Sequence, residues 1–172
     1  MARIISLVNQ KGGVGKTTTA INLASFLAFF GEKVLLVDID PQANATSGLG
    51  INHRELQSNV YHAIVDGMPM EQIVLGEKLD RLHLAPASAS LAGANIELVE
   101  HHEREFRLAK VLAPIEERYD YIIIDCPPSL GLLTINSLVA SDELLIPVQA
   151  EYYALEGIGQ LLKTIELIRT HI

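Results

Sequence analysis

The stretch Asn9-Gln-Lys-Gly-Gly-Val-Gly-Lys-Thr-Thr-Thr19 decides the reading of this chain, because it joins an apolar strand-like run to an apolar helix-like run. Ahead of it, Ile4-Ile-Ser-Leu-Val8 is short, rich in β-branched residues and apolar on both faces, the pattern of a central parallel strand covered by helices on each side. From Lys16 to about Phe30 the sequence is rich in Ala, Leu and Phe, and Gly31 supplies the stop, so a largely buried helix is expected. Between the two runs, three glycines let the backbone bring several N–H donors toward one point. That point is a helix N-terminus, where unpaired amides and the positive dipole end favour an anion. Lys16 adds a point charge suited to β- and γ-phosphates, and the Thr17 hydroxyl is placed to ligate a Mg²⁺ bridging them.

Outward from this loop, Lys33-Val-Leu-Leu-Val-Asp38 reads as a second parallel strand, so residues 3–38 form one βαβ unit with a right-handed crossover. Asp38-Ile-Asp-Pro-Gln-Ala-Asn44 leaves the carboxyl end of that strand, where open α/β sheets place their ligands, and two carboxylates therefore face the loop. Pro41 prevents regular continuation, and the small, polar stretch from Asn44 to Gly50 is expected to be a mobile, nucleotide-sensing loop. In Tyr121-Ile-Ile-Ile-Asp125-Cys-Pro-Pro-Ser129 a buried strand ends in one acid and two prolines, a Walker B arrangement. The acid at that strand tip stands beside the phosphate loop, where it can ligate Mg²⁺ or accept a hydrogen bond from a metal-bound water. Pro127 and Pro128 stiffen the exit, and Ser129-Leu-Gly131 can then move when a γ-phosphate leaves.

Residues 60–76 read as a short helix, a turn at Gly67-Met-Pro69 and another helical piece, and Leu82 to Pro86 as a third strand. Ser90 to Glu100 and Glu103 to Tyr119 show helical spacing, the second bent or restarted at Pro114. Leu132 to Ala140 is a helix, Glu143 to Val148 a strand whose internal proline argues for an edge or a strand end, and Gly157 to Thr170 a last helix. The whole is α/β: one domain over residues 1–172, a mostly parallel twisted sheet between two helical layers. The sequence stops at Ile172 with no cap, turn or following strand, which predicts a chain cut short at its carboxyl end. His101 and His102, beside Glu100 and Glu103, point in different directions on a helix and make no clean ligand set.

Thirteen Lys plus Arg against twenty-one Asp plus Glu leave a formal charge of −8, which argues against a broadly basic nucleic-acid surface. With no Trp and 5% aromatics, nothing resembles a base-stacking platform. The single cysteine, Cys126, excludes an internal disulfide and a four-cysteine metal site within one chain, and reads as a small core residue. No apolar run reaches the length of a membrane span and the N-terminus lacks a signal-peptide pattern, so a cytoplasmic protein without a membrane partner is expected.

The general P-loop pattern, G-x-x-x-x-G-K-[ST], is not met in full: Gln10 holds the place of its first glycine and Lys11 follows. The form K-G-G-V-G-K-T-T resembles the deviant P-loop of the ParA/MinD group of ATPases. With V-D-I-D-P-Q-A-N, I-I-I-D-C-P-P-S and P-V-Q-A-E-Y-Y-A-L-E-G following in order, the chain resembles the ParA/Soj-type chromosome-partitioning ATPases over essentially its whole length. The resemblance implies an ATP-driven switch: ATP with Mg²⁺ closes a homodimeric sandwich that binds DNA without sequence preference on the nucleoid, and a ParB-type partner stimulates hydrolysis. It implies nucleotide contacts at Lys11, Gly12, Gly13, Val14, Gly15, Lys16, Thr17 and Thr18, and metal support from Thr17 and Asp125, with Asp38 behind them. Asp40 would position the attacking water, Lys11 would reach the partner's nucleotide, and Glu151 would face the dimer partner. By the same resemblance the DNA-touching residues lie beyond position 172. A nitrogenase-iron-protein-like reductase needs two cysteine ligands per subunit, and only Cys126 exists. A MinD-like membrane-positioning ATPase and a non-enzymatic nucleotide-gated dimerisation module are the alternatives.

Overall fold

The computed structural model describes residues 1–150 and 154–171, the side chains of residues 77, 78, 154–157, 169 and 171 aside. In chain order the elements are β1 (Arg3–Leu7), α1 (Lys16–Phe29), β2 (Val34–Asp38), α2 (Asn44–Gly48), α3 (Val60–Ile64), β3 (Leu75–Leu79) and β4 (Leu82–Ala85). They continue as α4 (Leu91–Glu97), α5 (Arg107–Leu112), β5 (Tyr121–Asp125), α6 (Leu132–Ala140), β6 (Glu143–Leu145) and α7 (Ala154–His171). The strands form one sheet in the order β3-β4-β2-β5-β1-β6, parallel throughout except for the antiparallel β3–β4 pair.

Period-two alternation splits the apolar strands between two cores. Val34 and Leu36 of β2, Leu82 and Leu84 of β4 and Ile123 of β5 pack against α1, whereas Leu35, Val37, Ile122 and Ile124 face the layer that holds α3 to α7. Helix α1 meets the sheet through Ala20, Ala24 and Ala28, one stripe at a spacing of four residues, and these small side chains let the helix axis lie close. It is not largely buried, contrary to expectation: Phe26, Phe29 and Phe30 lie outside the alanine stripe and are 59%, 80% and 76% exposed. A helix seated on a sheet through so narrow a stripe turns its remaining residues outward.

Other expectations are revised. Residues 44–50 do not form an open loop: Asn44–Gly48 is helix α2, with Ala45 and Thr46 buried and Gly48 so close to α1 that a Cβ there would stand 2.6 Å from Ile21 Cδ1. The second helical piece of residues 60–76 is a single 3₁₀ turn, Met70–Gln72, after which the chain enters β3. Leu75-Gly-Glu-Lys-Leu79 has little strand propensity of its own, and pairing with β4 across a hairpin at Asp80 and Arg81 makes it a strand. Arg81 adopts φ +65° in that tight connection. The strand expected over Glu143 to Val148 is shorter, Glu143–Leu145, so Pro147 lies just past its end and not inside it, with β6 at the edge of the sheet; Pro114 does restart the helix after α5 as a 3₁₀ segment.

Ile123 lies in the middle of the sheet with no exposed surface. Ile123→Ala is expected to destabilise the protein by about 2–5 kcal/mol, read as a lower urea midpoint at unchanged slope. A loss below about 1 kcal/mol would contradict a close-packed site at this position.

Candidate nucleotide-binding site

Sheet register places the acids. Leu7, the last residue of β1, and Asp38, the last of β2, are both in register with Asp125 at the end of β5. The glycine loop therefore leaves the sheet beside two carboxylates, at the carboxyl edge of its central strands. Gly13 and Gly15 have φ of +74° and +92°, a left-handed conformation that strains any residue with a Cβ. Gly15 precedes α1, whose first turn has neither a side-chain cap nor an acidic residue, so its amides are left for an anion.

Lys16 is only 7% exposed, and its Nζ donates to the Lys11 carbonyl oxygen at 3.3 Å. Burial lowers its pKa, and the charges of Asp125 and Asp40 oppose that shift. Gly12, Gly13, Gly15, Lys16, Thr17, Thr18 and Asp40 line one cleft of about 460 Å³, together with Gln42, Asn44 and Pro128. A larger cavity of about 570 Å³ lies among Lys33, Arg81 and Tyr119, at the opposite, amino ends of the strands, and holds none of these groups. The smaller cleft is the candidate because the phosphate-binding chemistry is there.

Behind this cleft Asp125 is fully buried, and neither of its carboxylate oxygens has a hydrogen bond of good geometry. Burial pushes its pKa up to about 7, against the nearby Thr17 hydroxyl and Lys16, with the charges of Asp38 and Asp40 adding to the rise. Asp38, also buried, is pushed up to about 6 by burial, with hydrogen bonds from Thr46 and the Asp40 amide opposing. Its Oδ1 accepts from the Asp40 N–H at 3.1 Å, and its Oδ2 from the Thr46 N–H at 2.8 Å and hydroxyl at 2.7 Å. The Thr46 oxygen in turn accepts from the Ala87 N–H at 2.9 Å. Asp38 thus props the segment that carries Asp40, and this is why residues 44–48 fold as a helix.

Three acids at one strand edge with a single buried lysine leave negative charge out of water, a cost that a divalent cation would relieve. The donor set of carboxylate and hydroxyl oxygens suits Mg²⁺. Among the described residues no three His, Cys, Asp or Glu side chains form a metal site by themselves, so the ion needs further oxygens, such as those of phosphates.

Of the other residues singled out in the sequence, Val14 and Lys11 are not on the cleft wall; Lys11 is exposed and its Nζ donates to Gln149 Oε1 at 3.1 Å. Glu151 lies outside the described residues. His102 is exposed beside Glu103. Cys126 is buried with its Sγ 3.1 Å from the Ser137 hydroxyl, and burial pushes its thiol up to about 12. Sequence reasoning missed Thr46, and it quoted Asn9 and Gln149 without giving either a role. Both are short amides inside recognisable motifs, but their partners depend on strand pairing that no local pattern reveals.

A strand, a glycine loop with a buried lysine, a helix, and two in-register acids on a parallel sheet define a P-loop nucleotide-binding α/β domain. Residues 2–172 match the family model described as an AAA domain. The sequence is 56% identical to the sporulation initiation inhibitor protein Soj of Bacillus subtilis, over 100% of this chain and 68% of that protein. It is 54% identical to the chromosome partitioning protein ParA of Myxococcus xanthus, over 98% of this chain and 60% of that protein. Among solved structures, it superposes with a TM-score of 0.94 on the ADP- and magnesium-bound cobyrinic acid a,c-diamide synthase of Mycobacterium smegmatis (38% identical, 99% of this chain, 69% of that one). A plasmid partition protein of Borrelia burgdorferi bound to AMPPNP gives 0.87 (33% identical, 98% and 70%). The chain belongs to the ParA/Soj family of partitioning ATPases, and it spans 60% to 68% of the length of these two relatives.

The raised pKa of Asp125 sets a sign. A buried acid that titrates near 7 when folded and near 3.8 when unfolded favours the folded state below the lower value. That contribution is lost as pH rises from about 4 to about 7. In the absence of nucleotide and Mg²⁺, Asp125→Asn is expected to flatten this slope and to raise the melting temperature at pH 8. A variant melting below its parent at pH 8 would show that the carboxylate is compensated within the fold.

Proposed function

We propose that this chain is the nucleotide switch of a partitioning ATPase, which binds ATP with Mg²⁺, pairs with a second copy in that state, hydrolyses the γ-phosphate and then separates. The observation that carries this reading is the buried, hydrogen-bond-poor Asp125 carboxylate set in register with Asp38 and facing a glycine cradle with Lys16. Mg²⁺, when bound, would supply charge neutralisation for the phosphates. The loop amides and Lys16 would hold the phosphates, Thr17 and Asp125 would hold the metal directly or through water, and Asp38 would support them from behind. Asp40, on the cleft wall and fixed by the Asp38 oxygen that its amide reaches, orients the attacking water.

Lys11 is assigned to the neighbouring subunit's nucleotide. A loop already equipped with Lys16 has no need of a second cation on its own phosphates, and Lys11 stands exposed off the cleft wall, where a partner could meet it. A cation delivered across an interface contributes on the order of 10³-fold or more to phosphoryl transfer. Stimulation by a ParB-type partner, nucleoid association and non-specific DNA binding belong to the full-length protein, with the DNA surface in the part of its relatives' length that this chain does not span.

Asp40→Ala in the full-length protein is expected to keep ATP affinity near the parent and to lose most hydrolysis, whereas Lys16→Ala loses nucleotide affinity outright. Fluorescent-nucleotide titration and phosphate release measure the two. Parent-rate hydrolysis by Asp40→Ala would move the water-positioning role elsewhere.

For DNA, the 172-residue chain alone is expected to bind weakly, since its charge of −8 repels a polyanion. Its nearest basic group is also engaged internally: Arg107 donates to the Ile64 and Val65 carbonyls, Arg104 to Glu105 and Val99, and Lys110 to Glu103. Tight, salt-sensitive DNA binding by this chain would place the DNA surface on these visible residues.

A further inference from the structure

Two amide side chains sew the glycine loop to the segment that follows β6. Asn9 donates its Nδ2 to the Pro147 carbonyl at 2.7 Å and accepts the Lys11 N–H on Oδ1 at 2.9 Å. Gln149 answers from the other side, accepting the Lys11 ammonium on Oε1 at 3.1 Å and donating Nε2 to the Gly13 carbonyl at 3.3 Å. The arrangement follows from topology. β6 runs parallel to β1 with Leu145 in register with Leu7, and the Val8 N–H donates to the Leu145 carbonyl at 3.1 Å, so both strands release their chains at the same height. Residues 146–150 then lie along the loop.

We infer that Gln149 is a positioning residue that parks Lys11 against its own subunit, so that pairing of two subunits exchanges the Gln149 contact for the neighbour's nucleotide. The inference rests on the assignment of Lys11 to the partner's nucleotide. Gln149 suits the task because its amide is neutral and two-sided. Its oxygen takes one of the three ammonium protons in a charge-assisted bond, and its nitrogen is anchored on a loop carbonyl, which is not one of the amides that face a phosphate. Lys11 is exposed and Gln149 half-buried, so the bond is shared with water on the lysine side and is weak enough to be exchanged. A contact that must be given up before assembly lowers the population competent to pair and raises the apparent dissociation constant of the dimer. Each subunit gives it up once, so the effect enters the dimer equilibrium twice.

The alternative is that Gln149 only shapes the loop through Gly13, in which case its loss weakens nucleotide binding and does not ease pairing. The test uses the full-length protein with Mg²⁺ and a slowly hydrolysed ATP analogue, comparing the parent with Gln149→Met, Gln149→Glu and Lys11→Ala. Sedimentation reads the dimer midpoint, dilute fluorescent-nucleotide titration reads monomer affinity, and the rate of Lys11 acylation without nucleotide, followed by mass spectrometry, reads the clasp itself.

Gln149→Met is expected to lower the dimer midpoint roughly threefold to tenfold and to speed Lys11 acylation, with monomer affinity within about twofold of the parent. Gln149→Glu, which can hold Lys11 as an ion pair, is expected to raise the midpoint. An unchanged or higher midpoint in Gln149→Met, or a loss of monomer affinity alongside it, overturns the inference. Two failures are distinguishable: if Lys11→Ala pairs like the parent, the assignment of Lys11 across the interface is wrong and the inference goes with it. If Lys11→Ala fails to pair while Gln149→Met behaves as the parent, the inference alone is wrong.

Discussion

Buried negative charge at one strand edge is the constraint on which the rest of this structure depends. Asp38 and Asp125 end adjacent strands in register, both out of water, with Asp40 two residues beyond. Carboxylates so placed raise one another's proton affinity and cost stability unless something positive joins them. Lys16 supplies part of the compensation, and burial lowers its own pKa in the process. Asp38 is satisfied differently, by three hydrogen bonds from residues 40–46. Asp125 is left with the least, and it lies behind a cradle of backbone amides that suits phosphate. Nucleotide with its metal would offset both deficits together.

The same hydrogen bonds couple the site to the fold. Asp38 holds the Thr46 amide and hydroxyl, and the Thr46 oxygen accepts from the Ala87 N–H, so hydrogen bonds join Asp38 to both α2 and the loop after β4. On the other flank, Asn9 and Gln149 tie the phosphate loop to the chain leaving β6. Loop, acids and flanking segments form one connected network at the carboxyl edge of the sheet.

Much of this was legible in the sequence, and the reasons are local. Gly13 and Gly15 stand where only glycine is comfortable, Lys16 opens an alanine-rich helix, and Asp125 follows an uninterrupted apolar run and precedes two prolines. Short-range rules about backbone freedom, helix starts and buried strands suffice to recognise a phosphate site from such features. The parallel strands β1, β2 and β5 were equally legible, since a strand covered on both faces reads as a nearly continuous apolar run. The ParA/Soj resemblance rests on these stretches together with Pro147 to Gly157.

What only the tertiary structure decided is everything set by register and pairing. The polar segment from Asn44 to Gly48 reads as a loop until Asp38 offers its oxygens to Thr46, and Leu75 to Leu79, whose start reads as the end of a helical piece, becomes a strand only when β4 lies beside it. The phenylalanines of α1 read as core, yet the sheet accepts only the alanine stripe and leaves them outside. Gln149 and Lys11 are 138 residues apart and meet because β6 pairs with β1. The sequence by itself determined which residues carry the phosphate chemistry, because that chemistry is written in residue type and short spacing. Which acids are neighbours and which lysine is held by its own chain were decided by the sheet, because such distances arise only when strands far apart in sequence come into register.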